Sequence, residues 1–167
     1  VDNLSGGLTN SMDDPDTGPR FLDPAHAEVQ AFLITMLGEL AAYEGLDGIV
    51  LDRCRFDDYN LDAGYTDAAK AAFTTYLGDA PSAWPVMPKG QAYIPSNPST
   101  LQRNWLTFRC KVIHDFIAQA ASKVHEVNKD VRFGVYVGAW FSEYYRSGVN
   151  WTSEKYDLKK NESTYKW

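Results

Sequence analysis

Asp47-Gly48-Ile49-Val50-Leu51-Asp52-Arg53-Cys54-Arg55-Phe56-Asp57-Asp58 is the stretch on which the fold turns. Its apolar run, Ile49-Val50-Leu51, ends abruptly in charge. A helical pattern precedes it and a polar loop follows. A buried parallel strand looks like this when it delivers a carboxylate to the open end of a sheet. Asp52 is therefore the first candidate for chemistry, and strand 47–53 the element from which the rest is read.

Upstream, residues 24–44 form a helix by pattern. Asp23 is a good N-cap and Pro24 a good first-turn residue. Val29, Phe32, Leu33, Met36, Leu37 and Leu40 recur at steps of three and four, one apolar stripe. Gly45 is a suitable C-cap. Residues 1–20 hold Gly6-Gly7, Asp13-Asp14-Pro15-Asp16 and Gly18-Pro19, dense turn chemistry, and read as loop.

Downstream, 55–65 is a polar, aromatic loop. Thr66 caps a short helix over 66–77, with Gly78 as its stop. Residues 79–98 carry five prolines, too many for a helix or a central strand. A long helix follows over 99–128, its apolar residues at helical spacing from Leu101 to Val127. Residues 131–138, Val-Arg-Phe-Gly-Val-Tyr-Val-Gly, make a second strand. Its period of two puts Phe133, Val135 and Val137 against the helices, and Arg132, Gly134, Tyr136 and Gly138 on the other face. Beyond it lies another aromatic loop with Trp140, Phe141, Glu143, Tyr144, Tyr145 and Trp151, then a polar end.

Helix–strand–helix–helix–strand predicts an α/β fold, a parallel sheet covered by helices. Two strands are too few for a stable sheet of this kind. The expectation is an internal fragment, spanning 1–167, of a larger α/β domain.

Bulk properties narrow the function classes. The chain has 167 residues, 44% of them hydrophobic and 23% charged, which suits a packed globular domain. Its net charge is −6 with scattered basic residues, so no nucleic-acid surface is expected. No apolar run approaches the ~20 residues of a membrane span. The two cysteines, Cys54 and Cys110, lack metal-site spacing and read as buried thiols, or as a disulfide if the protein is secreted. His26, His114 and His125 lie on helical segments without clustering. No P-loop, G-x-S-x-G or H-E-x-x-H is present, so no redox cofactor or metal is expected. Oligomeric state is left open.

Three stretches resemble the glycosyl hydrolase-like "family ten" barrel proteins, distant relatives of the α-amylase superfamily. Phe21-Leu22-Asp23-Pro24 with Glu28-Val29 is similar to that family's start of a helix. Residues 47–56 are similar to its DGIHLDRIRYP strand. Trp105 and Arg109 with Phe133-Gly134-Val135 resemble its tryptophan-arginine helix and FGVS strand. The resemblance covers about 21–138. It implies a (β/α)8 TIM-barrel fragment whose fourth and fifth strands are 47–53 and 131–138. It further implies a glycoside hydrolase acting on a poly- or oligosaccharide, located outside the cytoplasm as a secreted, periplasmic or cell-surface protein.

On that reading Asp52 is the nucleophile and Glu143, by position alone, the general acid. The α-amylase pattern places an arginine two residues before this aspartate, where this chain has Val50; Arg53 or Arg55 then supplies the cation from the loop. Glycosidic hydrolysis needs one ionised and one protonated carboxyl, ≈ 5–5.5 Å apart in retaining enzymes and ≈ 6.5–9.5 Å in inverting ones. Arg53, Arg55, Asp57, Tyr59, Arg109, Tyr136, Trp140 and Trp151 are the candidate substrate contacts. Trp84 and Tyr93 join them as stacking platforms, with Asp58 beside Asp57 in the loop. Two other readings stand beside this one. One is a non-catalytic carbohydrate-binding barrel; the other is an unrelated α/β domain in which Asp52 is structural.

Overall fold

The computed structural model describes residues 2–3, 9–10, 22–56, 61, 63–88, 90–91, 93–137 and 143–149. In chain order the elements are β1 (Asp2–Asn3), β2 (Thr9–Asn10), α1 (Ala27–Ala41), β3 (Gly48–Leu51), α2 (Asp67–Leu77), α3 (Thr100–Val127), β4 (Arg132–Val135) and α4 (Tyr144–Ser147). β1 and β2 form a short antiparallel pair inside the stretch expected to be loop. β3 and β4 pair in parallel, Gly48 opposite Arg132 and Leu51 opposite Val135. The expected mixed α/β class and the parallel pairing of these two strands are thus present.

α3 is the spine. Its 28 residues span about 42 Å at 1.5 Å per residue. Ser99 starts it with a capping box: its hydroxyl accepts from Gln102 N–H at 3.2 Å, while Gln102 Oε1 accepts from Ser99 N–H at 2.9 Å. Trp105, Leu106, Phe108, Val112, Ile113, Phe116, Ile117, Ala120 and Val124 are all buried. They recur at helical spacing, so one face of the helix supplies much of the core.

α1 packs along α3 through Leu37, Gly38 and Ala41. Its start differs from the expected one. Helical geometry begins at Ala27, with His26 as N-cap making no side-chain capping bond. Asp23 is instead a tie. One carboxylate oxygen accepts from Ala25 N–H at 2.8 Å, and the other accepts the hydroxyl of Thr66. Thr66 in turn caps α2, accepting from Ala69 N–H at 3.0 Å. The capping chemistry of Asp23 is used across 43 residues of sequence rather than within its own helix. α1 ends at Ala41, capped by Ala42, earlier than the expected stop at Gly45.

Both strands are shorter than their patterns, which spanned 47–53 and 131–138. The pairing is nonetheless prolonged by single bonds: Arg132 N–H to Asp47 O at 3.1 Å, and Tyr136 N–H to Leu51 O at 2.8 Å. Gly48 is required here, because a Cβ on it would lie 3.0 Å from the Arg132 carbonyl oxygen. Ile49, Leu51, Phe133 and Val135 pack against the core, as the period of two demands. Val137, expected with them, is exposed, since β4 has ended before it.

α2, α3 and the proline-rich segment close on an aromatic cluster. Tyr65 stacks on Trp105 at 4.9 Å between centroids. Trp84 and Phe73 meet Trp105 edge-on at 5.3 Å and 5.1 Å. Trp84, expected as an open stacking platform, is thus half-buried and packed against the core. The Tyr65 hydroxyl accepts from Met87 N–H at 2.9 Å, which fastens the proline-rich segment to the cluster.

Candidate functional site

The charged turn after β3 sits on a cavity of about 280 Å³. Its walls are Leu22, Pro24, Val29, Gln30 and Leu33 from α1 and its lead-in, Ile113 and Phe116 from α3, and Asp52, Arg53, Cys54 and Arg55. Local conformation explains the placement. The strand stops at Leu51, and Arg53 adopts φ 54°, a left-handed conformation that costs a non-glycine residue energy. Arg55 N–H then donates to the Arg53 carbonyl at 2.8 Å, closing a tight turn. Strand alternation ends with the strand, so Asp52 does not simply follow Val50. Val50 is 68% exposed on the face away from the helices. Asp52, by contrast, lines a cavity walled by helix residues.

The chemistry available there is limited. Among the described residues, Asp52 is the one acidic residue lining the cavity, and acid–base hydrolysis of a glycoside needs two carboxyls. Cys54, half-buried in the cavity wall, has its thiol pushed up to about 11 by desolvation, well away from the range of a reactive thiolate. It and Cys110 are not joined in a disulfide.

Glu143 lies elsewhere, at the start of α4, and is engaged. Its carboxylate accepts from Arg146 Nη1 at 2.7 Å. The Arg146 guanidinium also stacks on Tyr93, 4.4 Å from the ring centroid. Arg109 is wholly buried beneath this layer. Its guanidinium donates to Arg146 O at 2.7 Å and to Ala63 O at 3.2 Å, and lies 4.3 Å from the Phe56 ring centroid. Phe56 N–H donates to Ser147 O at 3.0 Å, completing the join. Gly148, at φ 69°, lets the chain pass: a Cβ there would meet Phe56 at 3.1 Å and the Arg109 carbonyl oxygen at 3.2 Å. Arg109 thereby clamps the loop after β3, residue 63 and α4 together.

Of the residues singled out from the sequence, Asp52, Arg53 and Arg55 meet at one cavity. Glu143 and Arg109 meet in a separate cluster. Tyr136 is exposed on the open face of the sheet. Asp57, Asp58, Tyr59, Trp140 and Trp151 lie outside the described residues. Sequence reasoning missed Gln30 and Cys54 as cavity walls, and the Arg146–Tyr93 stack. The first two sit in patterns read as helix face and buried thiol; the last has no local signal, because its partners are 53 residues apart. Among the described residues, no helix is long and apolar enough to cross a membrane.

No family model matches the chain, and no solved structure matches it. A curated protein of Niallia circulans, described as an S-layer-related protein, is 34% identical over 157 residues. The match takes in 87% of this chain and 10% of that protein, so the chain spans about a tenth of the length of the relative it matches. This similarity corrects the expectation of glycoside hydrolysis. The related protein is described by the S-layer and not by a hydrolytic activity.

Proposed function

We propose that this chain is a structural module of a cell-surface protein, one segment of a longer S-layer-related polypeptide. The observation that carries this reading is the similarity to the S-layer-related protein across 87% of the chain. Two features accord with it. The best-formed side-chain cluster, around Arg109, is spent on joining segments of the fold. The charged turn at Asp52–Arg55 borders a cavity with a single carboxylate among the described residues. In this reading that turn shapes the end of β3.

The same proposal extends to the fold: the β3–β4 pair is part of a (β/α)8-type barrel that continues outside these residues. Its support is the parallel pairing, the helices on one face, and the exposure of Val50 and Tyr136 on the other.

The location is tested by labelling intact producing cells with a membrane-impermeant amine reagent. Exposed lysines such as Lys111 are expected to be modified before lysis. Labelling that appears only after lysis would remove the surface assignment.

A further inference from the structure

Two unsatisfied features lie along one margin of the molecule. The first is backbone. Asp47 and Leu51 carbonyls accept bonds from Arg132 of β4 and from Tyr136 just beyond it. Peptide groups alternate in direction along a strand, so the N–H and C=O of Gly48 and Val50 point to the opposite edge. Among the described residues no strand pairs with that edge; the sheet order is β3–β4 alone. The second is side-chain surface. Leu33 and Leu37 of α1 pack into the core. Phe32, Met36 and Leu40 form a second stripe, about 100° further round the helix. All three are exposed, Phe32 by 65%.

These features belong together. α1 leads by a short connection into β3, and α3 leads likewise into β4. The α1/α3 pair therefore covers the β3/β4 pair in the same order. In α/β units of this order, the side of α1 turned away from α3 lies over the side of β3 turned away from β4. An edge of free amides calls for a strand, and an apolar helix stripe beside it calls for a helix.

We propose that the outer edge of β3 and the outer stripe of α1 together dock one further parallel strand–helix unit of the same polypeptide. A single such unit satisfies both features at once, pairing its strand with Gly48–Val50 and laying its helix on Phe32, Met36 and Leu40. The source within the same polypeptide follows from length: the matched relative is about ten times longer than the region it shares with this chain. A second copy of this chain related by a two-fold axis would have to add β3 to β3 in antiparallel fashion, against the parallel pairing already present. The inference rests on the reading of this chain as one module of a longer polypeptide.

The test is backbone amide exchange in the full-length polypeptide as the cell makes it. The Gly48 and Val50 amides are expected to exchange at least about 100-fold more slowly than in unstructured chain, at every protein concentration. Exchange near the unstructured rate overturns the proposal. Protection that rises with concentration also overturns it and gives the edge to a second copy. The double variant Phe32→Glu, Leu40→Glu is expected to speed exchange at Val50 by at least about tenfold while the amides of Ile113 and Ile117 in α3 keep their protection. Loss at α3 as well would mark unfolding, and the unsubstituted protein's Val50 protection then decides. Unchanged exchange at Val50 in a folded variant overturns the pairing of edge and stripe. Surface labelling of cells is unaffected by any of these results, so failure of the location and failure of the docking surface are told apart.

Discussion

Arg109 shows how one side chain is committed by what surrounds it. It stands at a position on α3 where helical spacing puts it inside, and it is as buried as Trp105. A buried guanidinium is costly unless donors find acceptors; here Nη1 and Nη2 donate to two backbone carbonyls and the group lies over an aromatic face. Arg109→Met keeps the volume but leaves Ala63 O and Arg146 O without their donor. The expected loss is about 3 kcal/mol of stability, read as a lowered urea midpoint; an unchanged midpoint would mean the carbonyls find water instead. Cys54 gives a second test at this scale. The unfolded thiol ionises near the ordinary value of 9.0 and the folded one at about 11. Folding thus favours the protonated form. Its contribution is complete below pH 9 and is lost as pH rises from about 9 to about 11. A Cys54→Ala variant should lack this portion of the alkaline decline. If both proteins lose stability in parallel across that range, burial of the thiol has no such effect. Nearby on α3, burial works against ionisation of Asp115, but hydrogen bonds from Lys111 and His114 outweigh it and lower the carboxyl's pKa.

Caps and ties decide how the elements begin. Ser99 and Thr66 are both N-caps with an extended backbone and a hydroxyl on the third amide. They differ in what else they hold. Ser99 belongs to a box closed within one turn, whereas Thr66 also donates to Asp23 ahead of α1. Ser99→Ala is expected to cost about 1 kcal/mol. Thr66→Ala should cost about 1–2 kcal/mol, and its effect should shrink when Asp23 is already Ala. Thermal or urea unfolding of the two singles and the double measures this; additive losses would mean the tie is without consequence. α2 and α3 were legible because a 3.6-residue stripe and a cap coincide at each, and α1 from its stripe, whereas α4 fell in a stretch read as loop. Their details were not. Asp23 carries the same chemistry whether it caps its own helix or ties a distant one. Trp84 has the same appearance in a proline-rich segment whether it awaits a ligand or packs on Trp105. Sequence spacing cannot choose between partners that are brought together only by folding.

At the scale of the whole molecule, the order of elements was enough to predict a parallel α/β arrangement, and β3 with β4 is that arrangement in small. The inference from fold to activity was the step that failed. A strand reading Asp-Gly-Ile-Val-Leu-Asp-Arg reflects the burial and turn requirements of its place in an α/β unit, and such requirements are shared by proteins of many functions. The carboxylate at its end was read as chemical because an apolar run ending in charge was taken to deliver it to the open end of the sheet. The strand instead stops at Leu51, and the left-handed turn at Arg53 follows.

The parallel pair has one more consequence, and it concerns time. Asp47 and Arg132 meet although 85 residues separate them. At a synthesis rate of about 5–20 residues per second, β3 leaves the ribosome about 4–17 s before its partner does. Helix α1 forms within microseconds, and α2 and α3 do so as each emerges. For those seconds the nascent chain carries finished helices and a strand whose β4-facing edge is bare.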